Sequence, residues 1–280
     1  RLGDGTLGVL AGGTLHVLDP TDAAPRWVAL GTASVPDAHR FAPALAHDAV
    51  GDRLLVLGGS RSSSDAPTTF TVSALSTDGA TFAPVTTTGT GPSARVRHSA
   101  IVVGDEILVV GGLESGFTGG PTSAASDVWA LDLTTRAWRR VGALSEPRMS
   151  PALRVQPDGR LWVIGGYDGT EFMGTGTAEA IDLTTGASTP VVVAGAWPPA
   201  GGGFSAWSGL GDGIVGIDLG GTVDESGGQL WQLVPDGAAS AHWVGGDACT
   251  SDYALYEIVG VPDAGADGWI VGHSSWRFAL

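Results

Sequence analysis

Short apolar runs, separated by turns rich in glycine, aspartate and threonine, recur along the whole chain. The clearest copy lies near the middle, where apolar runs occupy 98–103, 107–110, 127–133 and 137–141. Runs of this length, enriched in Val, Leu, Ile and Trp and bounded by turn residues, are typical of β-strands. The pattern therefore predicts four antiparallel strands in this segment.

A pair of glycines closes the second run of each copy. The pairs begin at Gly12, Gly58, Gly111, Gly165 and Gly220, and Gly272-His273 is a degenerate sixth copy. The regular recurrence of one motif about every 50 residues indicates a repeat architecture. We therefore expect six repeats, at about 1–30, 40–88, 95–142, 147–194, 202–246 and 250–280.

Two further features recur in the repeats: a Leu-Asp turn after the third run and an aromatic residue in the fourth run. Trp27 and Trp138 hold the aromatic place in repeats one and three, Phe82 holds it in repeat two, and Ser188 departs from it in repeat four. Together with the Gly-Gly pairs, these features resemble the kelch-repeat family over nearly the whole chain. The resemblance implies an all-β fold: a kelch-type β-propeller of six four-stranded blades, in a single domain of residues 1–280.

The physics of a four-stranded sheet agrees with this family. A sheet with two apolar faces needs a neighbouring sheet on each side to shield both faces from water. Sheets packed face to face in a ring shield each other in this way. The first and last repeats each have three predicted strands. We therefore expect an incomplete propeller, or closure by mixing strands from both ends in one blade, or closure by chain outside this sequence.

The amino-acid composition excludes several kinds of active site and binding partner. Lysine is absent, which excludes a Schiff-base or P-loop lysine, and the single cysteine, Cys249, permits no internal disulfide and no multi-cysteine metal site. The formal net charge of −15 disfavours contact with nucleic acid or an anionic membrane, and no apolar run is long enough for a membrane helix. We predict no cofactor, no nucleic-acid partner and no membrane insertion.

Two groups of potential metal ligands do not form a predicted metal site. The acidic residues of repeat five lack calcium-loop spacing and are better explained as turn residues: Asp212, Asp218, Asp224 and Glu225. The second group contains the residue types of kelch-type copper radical oxidases but does not align with their motif: His242, Cys249, Tyr253 and His273. No role is carried over from those oxidases, and we expect Cys249 to be an inert buried thiol.

The longest loops follow the Gly-Gly pairs of repeats two to five, at 60–68, 113–126, 167–177 and 222–228. They are rich in Gly, Ser and Thr, and we predict that their aromatic residues Phe117, Tyr167 and Phe172 bind a ligand. Aromatic side chains on polar loops suit contacts with carbohydrate or peptide. The alternative is that these residues cap the apolar ends of the sheets.

A row of arginines precedes the first strand of repeats two, three and four. We align Arg40, Arg97 and Arg148 at this place, with His39 and His98 beside them. Guanidinium groups directed at a common axis would bind a carboxylate or sulfate bidentately, so these five residues are predicted to bind a ligand. The alternative is structural, with the arginines bound to backbone carbonyls and pinning adjacent repeats together.

Two classes of function remain. The first is a non-catalytic binding or scaffold module that holds a protein or a glycan on its long-loop face. The second, implied by resemblance to kelch-type sialate epimerases (mutarotases), is an enzyme acting on an acidic sugar at an arginine-lined axial site, with Glu146 or Glu171 as the base. The kelch resemblance and the Gly-, Ala- and Arg-rich composition favour a bacterial protein that is extracellular, periplasmic or at the cell surface.

Overall fold

The computed structural model describes residues 6–11, 14–19, 22, 26–31, 41–62, 65–114, 124–168, 175–195, 197, 206–210, 213–218, 228–249, 255–260, 267–272 and 275–279. For 7, 9–11 and the strands within 206–232 and 243–279, the backbone alone is described. Every regular element in these residues is a β-strand, which confirms the predicted all-β class. Nowhere in them is there a helix of the length and apolar character that crossing a membrane requires.

By its contacts the chain divides into two compact units, Arg1–Val141 and Gly142–Leu280. Three sheets begin in the first unit, and they correspond to repeats one, two and three, with strand orders β1-β2-β3, β4-β5-β6-β7 and β11-β10-β9-β8. Their strands are β1 (Leu7–Ala11), β2 (Thr14–Leu18), β3 (Val28–Leu30), β4 (Ala44–Asp48), β5 (Arg53–Leu57), β6 (Val72–Ser76), β7 (Phe82–Pro84), β8 (Ser99–Val103), β9 (Glu106–Val110), β10 (Asp127–Asp132) and β11 (Trp138–Ala143). The single domain over 1–280 stays a prediction.

The second unit contains one eight-stranded sheet, of order β12-β13-β14-β15-β19-β18-β17-β16, and one three-stranded sheet, of order β20-β21-β22. Its strands are β12 (Ala152–Val155), β13 (Leu161–Ile164), β14 (Ala178–Ile181), β15 (Ser188–Ala194), β16 (Ala206–Leu210), β17 (Gly213–Asp218), β18 (Gly228–Gly237), β19 (Ser240–Cys249), β20 (Leu255–Gly260), β21 (Asp267–Gly272) and β22 (Ser275–Ala279). How the propeller closes stays a prediction.

The eight-stranded sheet differs from the two separate four-stranded sheets expected for repeats four and five. It forms because β15 runs past its own sheet and pairs in parallel with β19, in the register Val192↔Ser240 to Ala194↔His242. The same contact is shorter in the first unit, where Thr88 pairs in parallel with Ala137 as a single bridge. Outer strands of neighbouring repeats are therefore hydrogen-bonded as well as packed.

Aromatic residues fill the space between neighbouring sheets of the first unit. Trp138 of β11 is buried in a cluster with Leu57 of β5 and Val109 of β9. The ring of Phe70, which precedes β6, meets the Trp138 indole edge-on, with centroids 5.7 Å apart. Phe82, which is partly buried, packs against a separate cluster that contains Leu15. These contacts bury apolar faces that a lone sheet would expose to water.

The Gly-Gly pairs let the chain leave the second strand through a left-handed backbone conformation. Gly166, at φ +91°, shows why a side chain is not tolerated there, since a Cβ would lie 2.6 Å from the carbonyl oxygen of Met149. Its neighbour Gly165 donates from its backbone N–H to the Thr177 carbonyl, at 2.9 Å, which closes the next loop. Glycine is thus required both by conformation and by close approach of the backbone.

Candidate functional site

The long loops start from one edge of each sheet, where the residue after the Gly-Gly pair is held by a short backbone bridge. The bridges are Phe41↔Ser60 in repeat two, Val96↔Leu113 in repeat three and Met149↔Tyr167 in repeat four. Each pair exchanges two N–H···O bonds of 2.7–3.0 Å. Tyr167, a predicted ligand-binding residue, therefore lies at the base of its loop.

Arg95 is buried beside the bridge of repeat three. Its Nη1 donates to the Gly111 carbonyl at 2.9 Å, and Nη1 and Nη2 donate to the two Asp127 carboxylate oxygens at 2.5 and 3.0 Å. Its Nε donates to the Ser93 carbonyl at 3.1 Å, and Nη2 lies 3.5 Å from the exposed carboxylate of Glu114. The guanidinium thus binds the first glycine of its own Gly-Gly pair.

Burial raises the pKa of Asp127, but hydrogen bonds from Arg95 and Trp129 outweigh burial and leave the pKa below its ordinary value of 3.8. The Trp129 donor is the indole Nε1, 2.6 Å from Asp127 Oδ2. Asp127 is thus ionised at neutral pH, which is the state that pairs with a buried arginine.

Arg148 makes the equivalent contacts in repeat four. Its Nη1 donates to the Gly165 and Thr177 carbonyls at 3.1 and 3.2 Å, and Nη2 donates to Glu179 Oε1 at 2.6 Å. Its Nε donates to the Glu146 carbonyl at 3.4 Å. The side chain is 0 % exposed. The guanidinium is directed at backbone carbonyls and at an internal carboxylate, as the structural alternative expects, but these partners lie in repeat four itself and not in an adjacent repeat.

Glu179, which sequence reasoning did not single out, completes the site of Arg148. It also accepts from Ser188 Oγ at 2.6 Å and from the Ser145 N–H at 2.7 Å. Burial raises the pKa of Glu179, but these hydrogen bonds and the charge of Arg148 together hold the pKa below 4.5. The departure of repeat four from an aromatic residue at Ser188 is thereby explained, since a serine there can donate to the buried carboxylate.

The structure corrects the alignment of the arginine row in repeat three. Arg148 lies four residues before β12 and Arg95 lies four residues before β8, whereas Arg97 lies two before β8. Arg97 has φ +52° and corresponds to Ala42 and Ser150, which have φ +46° and +50° at the same distance from β4 and β12. The equivalent of Arg148 is therefore Arg95, and Arg97 is a turn residue whose N–H donates to the Ala42 carbonyl at 3.1 Å.

The apolar residue that follows the arginine would have identified the correct alignment from the sequence. Met149 follows Arg148 and Val96 follows Arg95, and both are buried. His98, predicted to bind a ligand, occupies the place of Pro43 and Pro151 in the neighbouring repeats. It is also buried, so among the described residues its ring does not offer a surface to solvent.

Exposed carboxylates lie at this edge in repeats three and four. In repeat three the Glu114 side chain is 40 % exposed and accepts a hydrogen bond from Ser93 Oγ. In repeat four the Glu146 side chain, one of the two predicted bases, is 52 % exposed, and its Oε2 accepts from Thr177 Oγ1 at 2.8 Å. The buried arginines are thus accompanied by exposed carboxylates, which repel an acidic ligand.

Several predicted site residues lie outside the described residues: Arg40, His39, Phe117, Phe172 and Glu171. Their ligand-binding or catalytic roles stay predictions. Within the described ranges no group of three His, Cys, Asp or Glu residues is placed to hold a metal ion.

Comparison with known proteins identifies the fold. The profile of the KLHDC2/KLHL20/DRC7 kelch-repeats domain matches residues 8–234. The solved structure titled "Structure of YjhT" is similar with a TM-score of 0.71 and 14 % sequence identity, over 100 % of this chain and 93 % of that chain. No curated protein matches the sequence. The profile and the structural similarity confirm the predicted kelch-type β-propeller.

Proposed function

The chain belongs to the kelch-repeat family, and we propose that it is a non-catalytic module that binds a partner protein with the loops following its Gly-Gly pairs. Kelch domains generally mediate protein binding. A propeller alone does not specify a role, because this fold carries many unrelated functions. The proposal therefore depends on how this chain builds the base of its loops.

The observation that carries the proposal is the buried guanidinium beneath a loop in each unit. Arg95 binds the carbonyl of Gly111, just before loop 113–126, and Arg148 binds the carbonyl of Gly165, just before loop 167–177. Rigid bases under loops that differ in length and sequence suit recognition, since a fixed scaffold limits the entropy lost on binding.

The alternative, an enzyme acting on an acidic sugar, is not favoured by the described residues. Such a site needs guanidinium nitrogens that reach the substrate carboxylate. Arg148 instead binds Glu179 and three backbone carbonyls, and its side chain is 0 % exposed. Glu146, the described candidate for the base, adds negative charge where an anionic substrate would approach.

We also propose a bacterial location outside the cytoplasm, and a glycan as the second type of partner. Both rest on composition and on the polar, aromatic-containing loops, as argued from the sequence. Fractionation of the source cells tests the location, because a protein found wholly in the cytoplasmic fraction contradicts it.

The binding proposal is tested with two variants of the purified protein. In the first, residues 115–123 are replaced by a Gly-Ser segment of equal length. In the second, Val50 is changed to Ser in the turn between β4 and β5, which lies at the opposite end of its sheet from the loops and is exposed. Both variants and the unaltered protein are measured against an array of extracellular proteins and glycans.

We expect binding to the array members recognised by the unaltered protein to weaken at least about tenfold in the loop variant, as loss of a central contact does. The Val50→Ser variant should bind unchanged. The proposal is wrong if Val50→Ser abolishes binding while the loop variant binds normally, or if the purified protein interconverts the anomers of an acidic sugar.

A further inference from the structure

His98 lies in the contact between repeats two and three, and the contact has no spare room around it. The ring is 5 % exposed and lies 5.3 Å, centroid to centroid, from the ring of Phe70. A Cβ at Gly58 would lie 2.7 Å from His98 Cε1, and one at Gly112 would lie 2.8 Å from His98 Cβ. Phe70 and Gly58 belong to repeat two, and Gly112 belongs to repeat three.

The segment 95–98, here called the joint segment, also carries two of the backbone hydrogen bonds between these two repeats. The Gly59 N–H donates to the Arg95 carbonyl at 3.0 Å, and the Arg97 N–H donates to the Ala42 carbonyl at 3.1 Å. Val96 in the same segment bridges Leu113, the first residue of loop 113–126. Displacement of His98 would therefore disturb both the contact between repeats and the base of a loop.

The surroundings of the ring suit its neutral form only. Among the described residues no group pairs with either ring nitrogen in normal hydrogen-bond geometry. The elements of repeat two that pack against the ring contribute Leu57, Gly58 and Phe70, none of which titrates. On the joint segment itself the charged neighbours are Arg95, whose guanidinium is paired with the Asp127 carboxylate, and Arg97.

We propose that His98 makes the contact between repeats two and three sensitive to acid, so that protonation expels the ring and opens the joint segment while the sheets stay folded. The inference does not depend on the identity of any partner. A buried imidazolium beside a guanidinium, with no carboxylate against it, is less stable than one in water. The opened joint would free the start of loop 113–126.

The direction of the pH dependence follows from the burial of the ring. Burial lowers the pKa of His98 to about 3, with a further decrease from the charge of Arg95 and a smaller opposing contribution from the Leu57 backbone. In the opened joint the pKa returns to its ordinary 6.5. Because the closed value lies below the open one, the closed joint is fully stable above pH 6.5 and loses stability as the pH falls.

The test is amide hydrogen exchange of the intact protein at pH 6.0 and pH 4.5, corrected for the pH dependence of the intrinsic exchange rate. Linkage predicts that the opening equilibrium rises about 25-fold over this interval. The Gly59 and Arg97 amides, which close the joint, should lose protection by that factor. The Leu108 and Val109 amides in β9 should not change, because the sheet stays folded.

Variants then assign the effect to the ring. His98→Phe keeps an aromatic ring that does not titrate, and His98→Pro places the residue that Pro43 and Pro151 supply at the same position. Either variant should remove the pH dependence at Gly59 and Arg97. His242→Gln, at an exposed histidine of the other unit, should leave it intact.

Three results would overturn the inference, and the first needs no variant. The Gly59 and Arg97 amides of the unaltered protein could keep the same protection at both pH values. The β9 amides could lose protection together with them, which would indicate global unfolding. Finally, the 25-fold change could persist in His98→Phe or His98→Pro.

Discussion

Nη2 of Arg148 lies 2.6 Å from Oε1 of Glu179, and these two side chains are 0 % and 3 % exposed. They are 31 residues apart in sequence and belong to the chain before β12 and to β14. The pair links the start of the first strand of repeat four to its third strand, at the edge where loop 167–177 begins. It therefore fixes the base of a loop that we propose to bind a partner.

Removal of Arg148 should destabilise the protein strongly. Arg148→Met leaves Glu179 buried without its partner, and breaking a buried pair from one side costs about 3–5 kcal/mol. Adding Glu179→Leu should recover part of the loss, since the unpaired charge is then gone. Urea unfolding measures the free energy of unfolding of the single and the double variant. Arg160→Met, which removes the partly exposed pair with Asp158, is the control and should cost less than about 1 kcal/mol.

The protein should lose stability in acid through two carboxylates that pair with buried arginines, Asp127 and Glu179. Hydrogen bonds and arginine charges hold the pKa values of Asp127 and Glu179 below 3.8 and 4.5 despite burial. Their contributions are complete above those values and are lost as the pH falls through the lower folded-state values. Urea unfolding between pH 5 and 3 should therefore show a shallower decline in Glu179→Gln than in the unaltered protein. An equal decline in both would contradict the assignment, and Glu146→Gln at the exposed carboxylate is the control.

Substitution by alanine should cost different amounts of stability at two glycines that have similar φ angles. Gly159 has φ +83° and open space where a Cβ would lie, so Gly159→Ala should cost only the left-handed backbone strain, about 1–2 kcal/mol. Gly166 has φ +91° and a Cβ there would lie 2.6 Å from the Met149 oxygen, so Gly166→Ala should cost about 2–5 kcal/mol. Thermal or urea unfolding compares them, and equal losses would show that strain alone matters.

Truncation of Trp138 should show how much of the stability of the first unit comes from contacts between its sheets. Trp138→Ala removes a side chain that is 8 % exposed and packs against Phe70, and such truncations cost about 3–5 kcal/mol. Val50→Ala, at an exposed apolar residue in a turn, should stay within about 0.5 kcal/mol. A loss below about 1 kcal/mol for Trp138→Ala, measured by urea unfolding, would mean that the sheets do not depend on this indole.

The repeats and most strands could be predicted because each signal is local. The apolar runs match β8 to β11 within a few residues, and the Gly-Gly pairs of repeats two to four fall where the second strand ends. In repeat five, β18 runs from Gly228 to Gly237 and pairs with β19, which in turn pairs in parallel with β15. No pattern within the segment itself could have indicated the length of this strand.

The row of arginines shows what local sequence patterns could not predict, which is the partner of each guanidinium. Arg95 and Arg97 are two residues apart, but only Arg95 reaches Asp127, which lies 32 residues further along the chain. Whether an arginine binds a ligand or an internal carboxylate depends on which acidic side chain the sheet brings next to it. The residue types in the row carry no information on that point.

The sequence alone determined that the chain is a series of β repeats of three or four strands, because apolar periodicity, turn residues and Gly-Gly pairs act on neighbouring residues. Only the tertiary structure decided that Arg95 and Arg148 are buried supports for the loops and that His98 is enclosed between two repeats. Those outcomes depend on residues brought together across 30 or more positions in sequence or across the contact between two sheets. Burial and pairing of charge are set by that packing and not by the local order of residues.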